Sequence, residues 1–359
     1  MDIRDMNTSK HPNRIYYFDM LRVIACSAVV LVHVSGAYVV KDFGSVNFWV
    51  GNVLDSASRI AIPVFVMLSG ALMLDERRAI SAGELLGHIK KIACFFVFWS
   101  AMYTILNKIL IPLIKKEPVR LRTVVMSFLT GNYHLWFCFM IVGLYLVTPL
   151  LRLWVKAENK RYVEYFLALS FVFNLVIPQV TAMGGLYFDV FHEFNAIVEQ
   201  LHLKYTGGYV PCFILGWYLH NFECRHKKTL YALGAVSLAF TVVMTYLLSY
   251  TTNTPIQVYD SRYVNILFQG VGIFVLIKSR YGDRESGADR GAWIEFLSKN
   301  TMGIYAMHVA VTQVCFGLMK RLPLENAAAT ILIVFGIAFA VSLAASSVFH
   351  KIPFLNKVV

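Results

Sequence analysis

The sequence predicts an all-α membrane protein, a single polytopic helical bundle over residues 1–359 with about ten transmembrane helices. The chain is 58% hydrophobic and 15% charged, whereas soluble domains carry about 25% charged residues. Apolar runs of roughly 18–25 residues recur along the chain, long enough for helices to cross ~30 Å of hydrocarbon. The runs are continuous, which disfavours barrel strands, because those alternate in units of about 10 residues.

The loop charges give these spans an orientation. With the N-terminal segment 1–15 cytoplasmic, the cytoplasmic loops hold roughly twice as many Lys and Arg as the outer loops, as the positive-inside rule requires. Both termini are then cytoplasmic, and the net charge of +12 needs no nucleic-acid partner. The basic stretch 115–122 is an exception, because it falls outside. The predicted spans are 16–40, 47–74, 90–113, 134–151, 163–181, 206–222, 228–250, 262–279, 295–318 and 327–350.

The first span carries two ionisable side chains, Arg22 and His33. Eleven helical residues turn the chain by about 1100°, so both side chains lie on one face, about 16 Å apart along the axis. Charged groups are expensive in hydrocarbon and commonly mark functional sites, so this face resembles a channel wall. In the alternative interpretation, Arg22 pairs with Asp19 at the interface and His33 is an ordinary core histidine. Asp19 cannot orient His33, because about 21 Å of helix separates them.

The second span contains Asp55 and Arg59, four residues apart and near its middle. Such a spacing favours an ion pair, and at this depth the pair should face the protein interior or a water-filled cavity. Pro63 is expected to kink the helix, because proline lacks the backbone N–H that continues the hydrogen-bond ladder. Ser69 and Gly70 then form a small-residue site where another helix or a ligand could approach.

Two further spans carry histidines. His134 and Trp136 begin the fourth span at the outer surface, where aromatic residues are also ordinary interface anchors. His308 lies midway along the ninth span, and Tyr305 is one turn before it as a candidate hydrogen-bond partner. An imidazole at this depth is a candidate functional group.

The outer loop 181–205 is the longest connection and sets acidic residues among aromatic ones, including Asp189 and Glu193. It is either an amphipathic helix lying at the interface or a carbohydrate platform, and the two interpretations are compatible. The six cysteines lie singly, with no C-x-x-C pair or His/Cys ligand spacing. We therefore expect neither a metal site nor a disulfide framework.

Four motifs occur in a fixed order. Arg22 and His33 are separated by ten residues; they are followed by PVFVMLSG (63–70), YHLWFCFMIVGLYLVTPLL (133–151) and LSKNTMGIYAMH (297–308). Together they resemble the acyltransferase 3 family of integral membrane acyltransferases, from about Tyr16 to the end of the chain. The run NVLDSASR (52–59) with YHLWF is most similar to the branch that O-acetylates enterobacterial common antigen. Ala71, Val64 and Val66 depart from the family pattern, which bears on the acyl pocket.

The resemblance implies an O-acetyltransferase of the bacterial inner membrane that moves an acetyl group from cytoplasmic acetyl-CoA to a cell-envelope glycan or lipid-linked glycan. His33 would be the general base, and Arg59 would stabilise the oxyanion or fix the acyl group. Membrane lipid is a further partner, and homo-oligomerisation is left open. The donor would bind at Arg22, Arg77, Arg78, Lys90, Lys91 and Ser69. The acceptor would bind at His134, Trp136, Tyr305, His308, Asp189 and Glu193.

Two alternatives stay open at this stage. A ping-pong reaction would transiently acylate His33 or a serine. A secondary transporter or glycan exporter would also bury ionisable residues in a bundle of about ten helices, although the sequence contains no paired half-repeat or matched broken helices.

Overall fold

The computed structural model describes residues 14–40, 42–201, 207–282, 291–319 and 326–359. The predicted N-terminal segment 1–15 therefore lies outside the described residues except at its end, as does the last part of the loop 181–205. Within the described ranges the chain is helical and contains no strand, which confirms the predicted fold class. The helices are α1 Tyr16–Ser35, α2 Val46–Ser58, α3 Ala61–Met73, α4 Ala82–Thr104, α5 Ile111–Ile114, α6 Leu121–Thr130, α7 Trp136–Trp154, α8 Lys160–Ser170, α9 Ile177–Gly184, α10 Val190–Glu199, α11 Val210–Asn221, α12 Lys227–Thr252, α13 Val264–Tyr281, α14 Gly291–Met319 and α15 Ala327–Phe349.

Among the described residues, eight helical segments are long and apolar enough to cross a membrane, against ten predicted. The other two predicted spans are α11, which has 12 residues, and α13, which has 18. At ~1.5 Å per residue α11 is too short to cross alone, and α13 carries buried Asn265 and Gln269, which bond to Thr241 of α12. The eight segments are Tyr16–Tyr38, Val46–Met73, Ala82–Ile114, Leu121–Trp154, Ala157–Gly184, Lys227–Thr252, Gly291–Met319 and Ala327–Phe349.

The two ends of the described chain lie on the same side of the bundle. Arg14, just before α1, donates to Glu295 near the start of α14 at 3.2 Å. His350, just after α15, lies 3.3 Å from the Lys299 carbonyl, one turn further along α14. This arrangement agrees with the prediction that both termini face one compartment.

The second span is broken where the sequence predicts a kink. Helix α2 ends at Ser58, α3 begins at Ala61, and Arg59 occupies the break between them. Pro63 has no N–H to offer the Arg59 carbonyl four residues earlier, and its ring crowds that carbonyl. The break leaves Arg59 at the junction of two short helices in the middle of the bundle.

The fourth span differs from its prediction at the outer end. Residues predicted as part of an outer loop form α6, which packs against α4 through hydrogen bonds from Ser100 Oγ to the Phe128 carbonyl at 2.6 Å and between the Thr104 and Ser127 hydroxyls at 3.1 Å. Gly131 then turns the chain at φ +74°, a conformation that glycine adopts without strain. A short 3₁₀ turn, Tyr133–Leu135, leads into α7. His134 consequently lies inside the bundle and not at its surface.

Helices α3 and α11 approach so closely that only glycine fits at their crossing. A methyl group on Gly70 would overlap the carbonyl oxygen of Phe213, and one on Gly216 would overlap the carbonyl oxygen of Met67. Backbone therefore faces backbone, as small residues allow in membrane bundles. The predicted small-residue site after Ser69 is thus a helix crossing.

We expect Gly70→Ala to destabilise the protein by about 2 kcal/mol, because overpacking a tight contact costs ~1–3 kcal/mol. The matched control is Gly143→Ala in α7, where a methyl group meets no atom within 4 Å and should be neutral or slightly stabilising. Thermal unfolding in detergent measures both. Equal melting temperatures for the two variants would contradict this crossing.

Candidate functional site

A cavity of about 650 Å³ runs through the centre of the bundle. Its walls come from α1, α3, α4, α7 and α14, from the α2–α3 break and from the segment between α12 and α13. Apolar side chains form most of the wall, which is typical of ligand sites with a few convergent polar groups. The lining includes six of the predicted site residues: His33, Arg59, Ser69, His134, Trp136 and Tyr305.

His33 enters the cavity wall from α1. Its ring stacks on the ring of His308 at 5.1 Å between centroids and meets Tyr133 edge to face at 5.2 Å. Within the described ranges no protein group hydrogen-bonds to its ring nitrogens, and no carboxylate orients it. The two aromatic contacts therefore fix the ring plane, while its nitrogens remain available to a ligand in the cavity.

Three histidines from distant parts of the sequence meet at this point. His308 lies 5.1 Å from His33 and 5.7 Å from His134, centroid to centroid. His308 is completely buried, and its Nδ1 lies 3.1 Å from the Ile304 carbonyl. A carbonyl can only accept, so we assign a proton to Nδ1, which leaves the buried Nε2 as an acceptor without a partner. No group of three or more His, Cys, Asp or Glu side chains in the described part of the chain could hold a metal ion.

Tyr305 does not bond to His308, contrary to the expectation from their spacing. Its hydroxyl donates to the backbone carbonyl of His134 in a short hydrogen bond. The two rings lie on successive turns of the helix, with their centroids 6.2 Å apart. The Tyr305 hydroxyl, however, extends toward the 3₁₀ turn before α7. Tyr305 thus ties α14 to the turn that carries His134.

His134 is only 2% exposed, although the sequence places it at the outer surface. Helix α6 packs along α4 on the outside of the bundle, and the turn at Gly131 then directs His134 inward. The His134 ring packs edge to face on Tyr103 at 5.0 Å. Neither ring nitrogen makes a well-aligned hydrogen bond to a described residue. The nearby Ala306 carbonyl already accepts from the Tyr103 hydroxyl at 2.7 Å.

Arg59 is held in the cavity wall by two partners. Its Nη2 donates to Asp55 Oδ2 at 2.5 Å, and its guanidinium lies 4.3 Å from the centroid of the Tyr259 ring. Asp55 is completely buried and also accepts from Ser35 at 3.3 Å. The predicted ion pair therefore exists, and the Nε of Arg59 is buried without a hydrogen-bond partner. This geometry fixes the guanidinium next to His33 and leaves its Nε–H available to a ligand.

Arg22 lies beyond the inner end of the cavity and does not line it. It pairs with Asp19 at 3.0 Å, as the alternative interpretation expected, and Asp19 also binds Arg14. Arg22 nevertheless interacts electrostatically with Tyr145, and both Tyr145 and Ser69 line the cavity. Arg22 is therefore near a residue of the cavity wall.

Of the other predicted donor-binding residues, Ser69 lines the cavity, whereas Arg77, Arg78, Lys90 and Lys91 do not. Arg77 donates to Asp75 at 2.9 Å and lies 2.9 Å from Nε2 of His220. Burial acts to raise the pKa of Asp75, but the hydrogen bonds from Arg77 outweigh it and hold that pKa below its usual range. The exposed residues Arg78, Lys90 and Lys91 make no ion pair with a described carboxylate.

The outer end of the cavity is built from residues that the sequence analysis missed. Asp189, just before α10, and Glu193, on α10, are exposed and do not line it. The wall there includes Tyr209, Asp260 and Arg262; Arg262 bonds to Asp260 at 2.8 Å. Burial acts to raise the pKa of Asp260, but the hydrogen bonds from Arg262 lower it overall. The run VYDSRY (258–263), with two charges among aromatics in an outer loop, was the available signal.

Of the comparisons with known proteins, the one with protein-family models found a match. A model of the acyltransferase domain family matches residues 15–347, nearly the whole chain. Comparison with the curated proteins found no match, and neither did comparison with the solved structures.

Asp55→Asn should lower the free energy of unfolding by about 2–3 kcal/mol, because it leaves the Arg59 charge inside the bundle without its counter-ion. The effect falls at the low end for a buried pair because 24% of the Arg59 side chain is accessible. Asp189→Asn, at an exposed position without an ion pair among the described residues, is the matched control. Thermal unfolding in detergent compares the two, and an unchanged melting temperature for Asp55→Asn would contradict the pairing.

Proposed function

The chain belongs to the acyltransferase 3 family, and from this premise we propose that it moves an acetyl group from cytoplasmic acetyl-CoA to a hydroxyl of a cell-envelope glycan. The observation that carries the proposal is the position of His33. Its unpartnered ring nitrogens lie in the wall of a central cavity, beside a guanidinium fixed by Asp55 and Tyr259.

The donor enters from the end of the cavity near Arg22. Arg22 and the basic residues around Arg77, Arg78, Lys90 and Lys91 attract the nucleotide phosphates, because charge-assisted bonds to phosphate are strong. The pantetheine arm passes Tyr145 and Ser69 into the apolar cavity. The thioester then reaches the level of His33 without its phosphates entering the bundle.

Transfer needs one base and one electrophilic group. The acceptor hydroxyl oxygen attacks the thioester carbonyl carbon while its proton passes to the neutral His33 imidazole. Arg59 donates hydrogen bonds to the oxyanion that develops on the carbonyl oxygen. The C–S bond then breaks, and His33 returns the proton to the CoA sulfur. His308 acts on this step only through His33, by holding its ring plane.

The acceptor enters from the opposite end. Tyr209 and Trp136 offer aromatic faces for a sugar ring, and Asp260 and Arg262 offer hydrogen-bond groups to its hydroxyls. The motifs NVLDSASR and YHLWF support N-acetylglucosamine of enterobacterial common antigen as the acceptor. They also support the bacterial inner membrane as the site of action.

His33→Gln should reduce acetyl transfer by about 10²–10⁴-fold, because that is the usual contribution of a general base. The control is His226→Gln, an exposed histidine outside the cavity, which should keep full activity. Release of CoA thiol in the presence of acceptor measures both, and the melting temperature checks folding. Label from acetyl-CoA that stays on the wild-type protein without acceptor would replace direct transfer with a ping-pong reaction.

Acetyl-CoA alone should raise the melting temperature. A ligand at about 100 times its Kd stabilises the folded state by about 2.7 kcal/mol, and Arg22→Gln should reduce this shift by weakening phosphate binding. Thermal unfolding with and without acetyl-CoA measures the effect. A glycan exporter would show no response to CoA and no thioester consumption, and that outcome would refute the proposed function.

A further inference from the structure

A second cavity lies between α4 and α6, outside the central one. Its volume is about 820 Å³, and its wall includes three cations, Lys108, Arg120 and Arg122. Lys108 lies in the π-helical segment Ile105–Leu110 that continues α4, and such widened turns are frequent at functional sites. The arginines lie at the start of α6. The proposed transfer reaction uses none of these three residues.

No carboxylate among the described residues forms an ion pair with any of the three cations. Glu117 is the only acidic residue of the connecting loop, and it is exposed and does not line the cavity. The same loop, residues 115–122, is the one that violates the positive-inside rule. Arg120 and Arg122 are exposed and Lys108 is half-buried, so these cations, which have no counter-ion among the described residues, are accessible to an anionic ligand.

The donors in this cavity suit a phosphate group. Arginine offers a planar fork that matches phosphate oxygens, and lysine adds a compact point charge. Helix α6 has ten residues, and no side chain caps its first N–H groups, so these also point toward the region of Arg120 and Arg122. A helix N-terminus favours an anion for the same reasons. Cations and backbone donors thus converge on one region.

The surroundings indicate that this phosphate is carried by a lipid. Leu121, Val125 and Leu129 of α6 and Ile114 of α5 are exposed on the outside of the bundle, where the membrane would cover them. An alkyl chain can therefore lie along α6 while its phosphate enters the cavity. A free sugar phosphate would gain nothing from these apolar side chains.

The second cavity also adjoins the transfer site. Tyr103 lines it and packs on His134 at 5.0 Å, and Asn132 lines it two residues before His134. His134 in turn lines the central cavity. A sugar attached to a phosphate at Arg120 and Arg122 would thus extend toward the cavity that contains His33.

We propose that the α4–α6 cavity binds the phosphate that links the acceptor glycan to its lipid carrier at the outer membrane surface. This inference rests on the proposed function and specifies its acceptor as a lipid-linked glycan. Lys108, Arg120 and Arg122 neutralise the phosphate, and the glycan is thereby anchored with its sugar near the transfer site. The cations act on acceptor selection and not on the chemical step.

The test compares two acceptors, N-acetylglucosamine linked by diphosphate to a polyprenyl chain and the alkyl glycoside of the same sugar. We expect the wild type to prefer the diphosphate acceptor in kcat/KM. The triple variant Lys108→Gln/Arg120→Gln/Arg122→Gln should reduce this preference about tenfold or more, because it removes charge-assisted bonds to phosphate.

Lys115→Gln/Lys116→Gln is the matched control. It removes two cations from the same loop that do not line the cavity, so the preference should persist. An equal preference in the wild type and the triple variant would overturn the assignment.

A binding measurement without turnover separates this proposal from the proposed function. Polyprenyl diphosphate without sugar should raise the melting temperature of the wild type in phosphatidylcholine nanodiscs, and less so that of the triple variant. If the shift is the same in both proteins, the site is wrong even if transfer occurs. If the wild type transfers to neither acceptor but the shift depends on the three cations, the proposed function fails and the phosphate site stands. If added phosphatidylglycerol abolishes the shift at equal concentration, the site takes a phospholipid headgroup and the acceptor assignment is overturned.

Discussion

The ion pair between Asp55 and Arg59 is the interaction on which the centre of this protein depends. A carboxylate with no exposed surface is costly inside an apolar bundle unless a charge and hydrogen bonds compensate it. Arg59 and Ser35 supply that compensation, and Tyr259 holds the guanidinium from the other side. The pair therefore joins α1, the α2–α3 break and the segment before α13 at one point, and it fixes a cation beside His33.

The buried polar groups between α12 and α13 differ from those around the central cavity. Between α12 and α13, Asn265 and Gln269 both donate to the Thr241 hydroxyl, which makes a closed network that stabilises the scaffold. Around the central cavity, by contrast, nitrogens of Arg59, His134 and His308 are buried without hydrogen-bond partners in the described structure. Unsatisfied buried groups are uncommon in proteins and call for an explanation. A ligand that passes through this cavity would supply the missing partners.

The same scaffold places different charged groups at the two ends of the central cavity. At the inner end, Arg22 and Arg77 lie outside the cavity, where the proposed acetyl-CoA donor would keep its phosphates. At the outer end, Asp260 and Arg262 form an ion pair within one short segment of the wall, and Lys108, Arg120 and Arg122 line the separate α4–α6 cavity. The wall between these ends is mostly apolar, and α3, which forms part of it, is held against α11 by the glycine crossing.

The sequence by itself determined what depends on local periodicity and on solvent. The apolar runs predicted the helical bundle, and the residue spacing predicted the Asp19–Arg22 and Asp55–Arg59 pairs. Pro63 predicted the break in the second span, and the four motifs indicated the family. Only the tertiary structure decided how long each helix is and how deeply it is buried. The predicted span 206–222 contains the 12 residues of α11, and α13 is buried enough to carry Asn265 and Gln269 in its interior.

The tertiary structure also decided how the site is assembled. His33, His134 and His308 meet because α1, the turn before α7 and α14 pack together, and no spacing along the chain encodes such a contact. The turn at Gly131 after α6 directs His134 into the interior, and the packing of α14 beside that turn gives the Tyr305 hydroxyl the His134 carbonyl as its partner. These positions result from helix packing between segments that are distant in the sequence, which local rules of chain geometry do not specify.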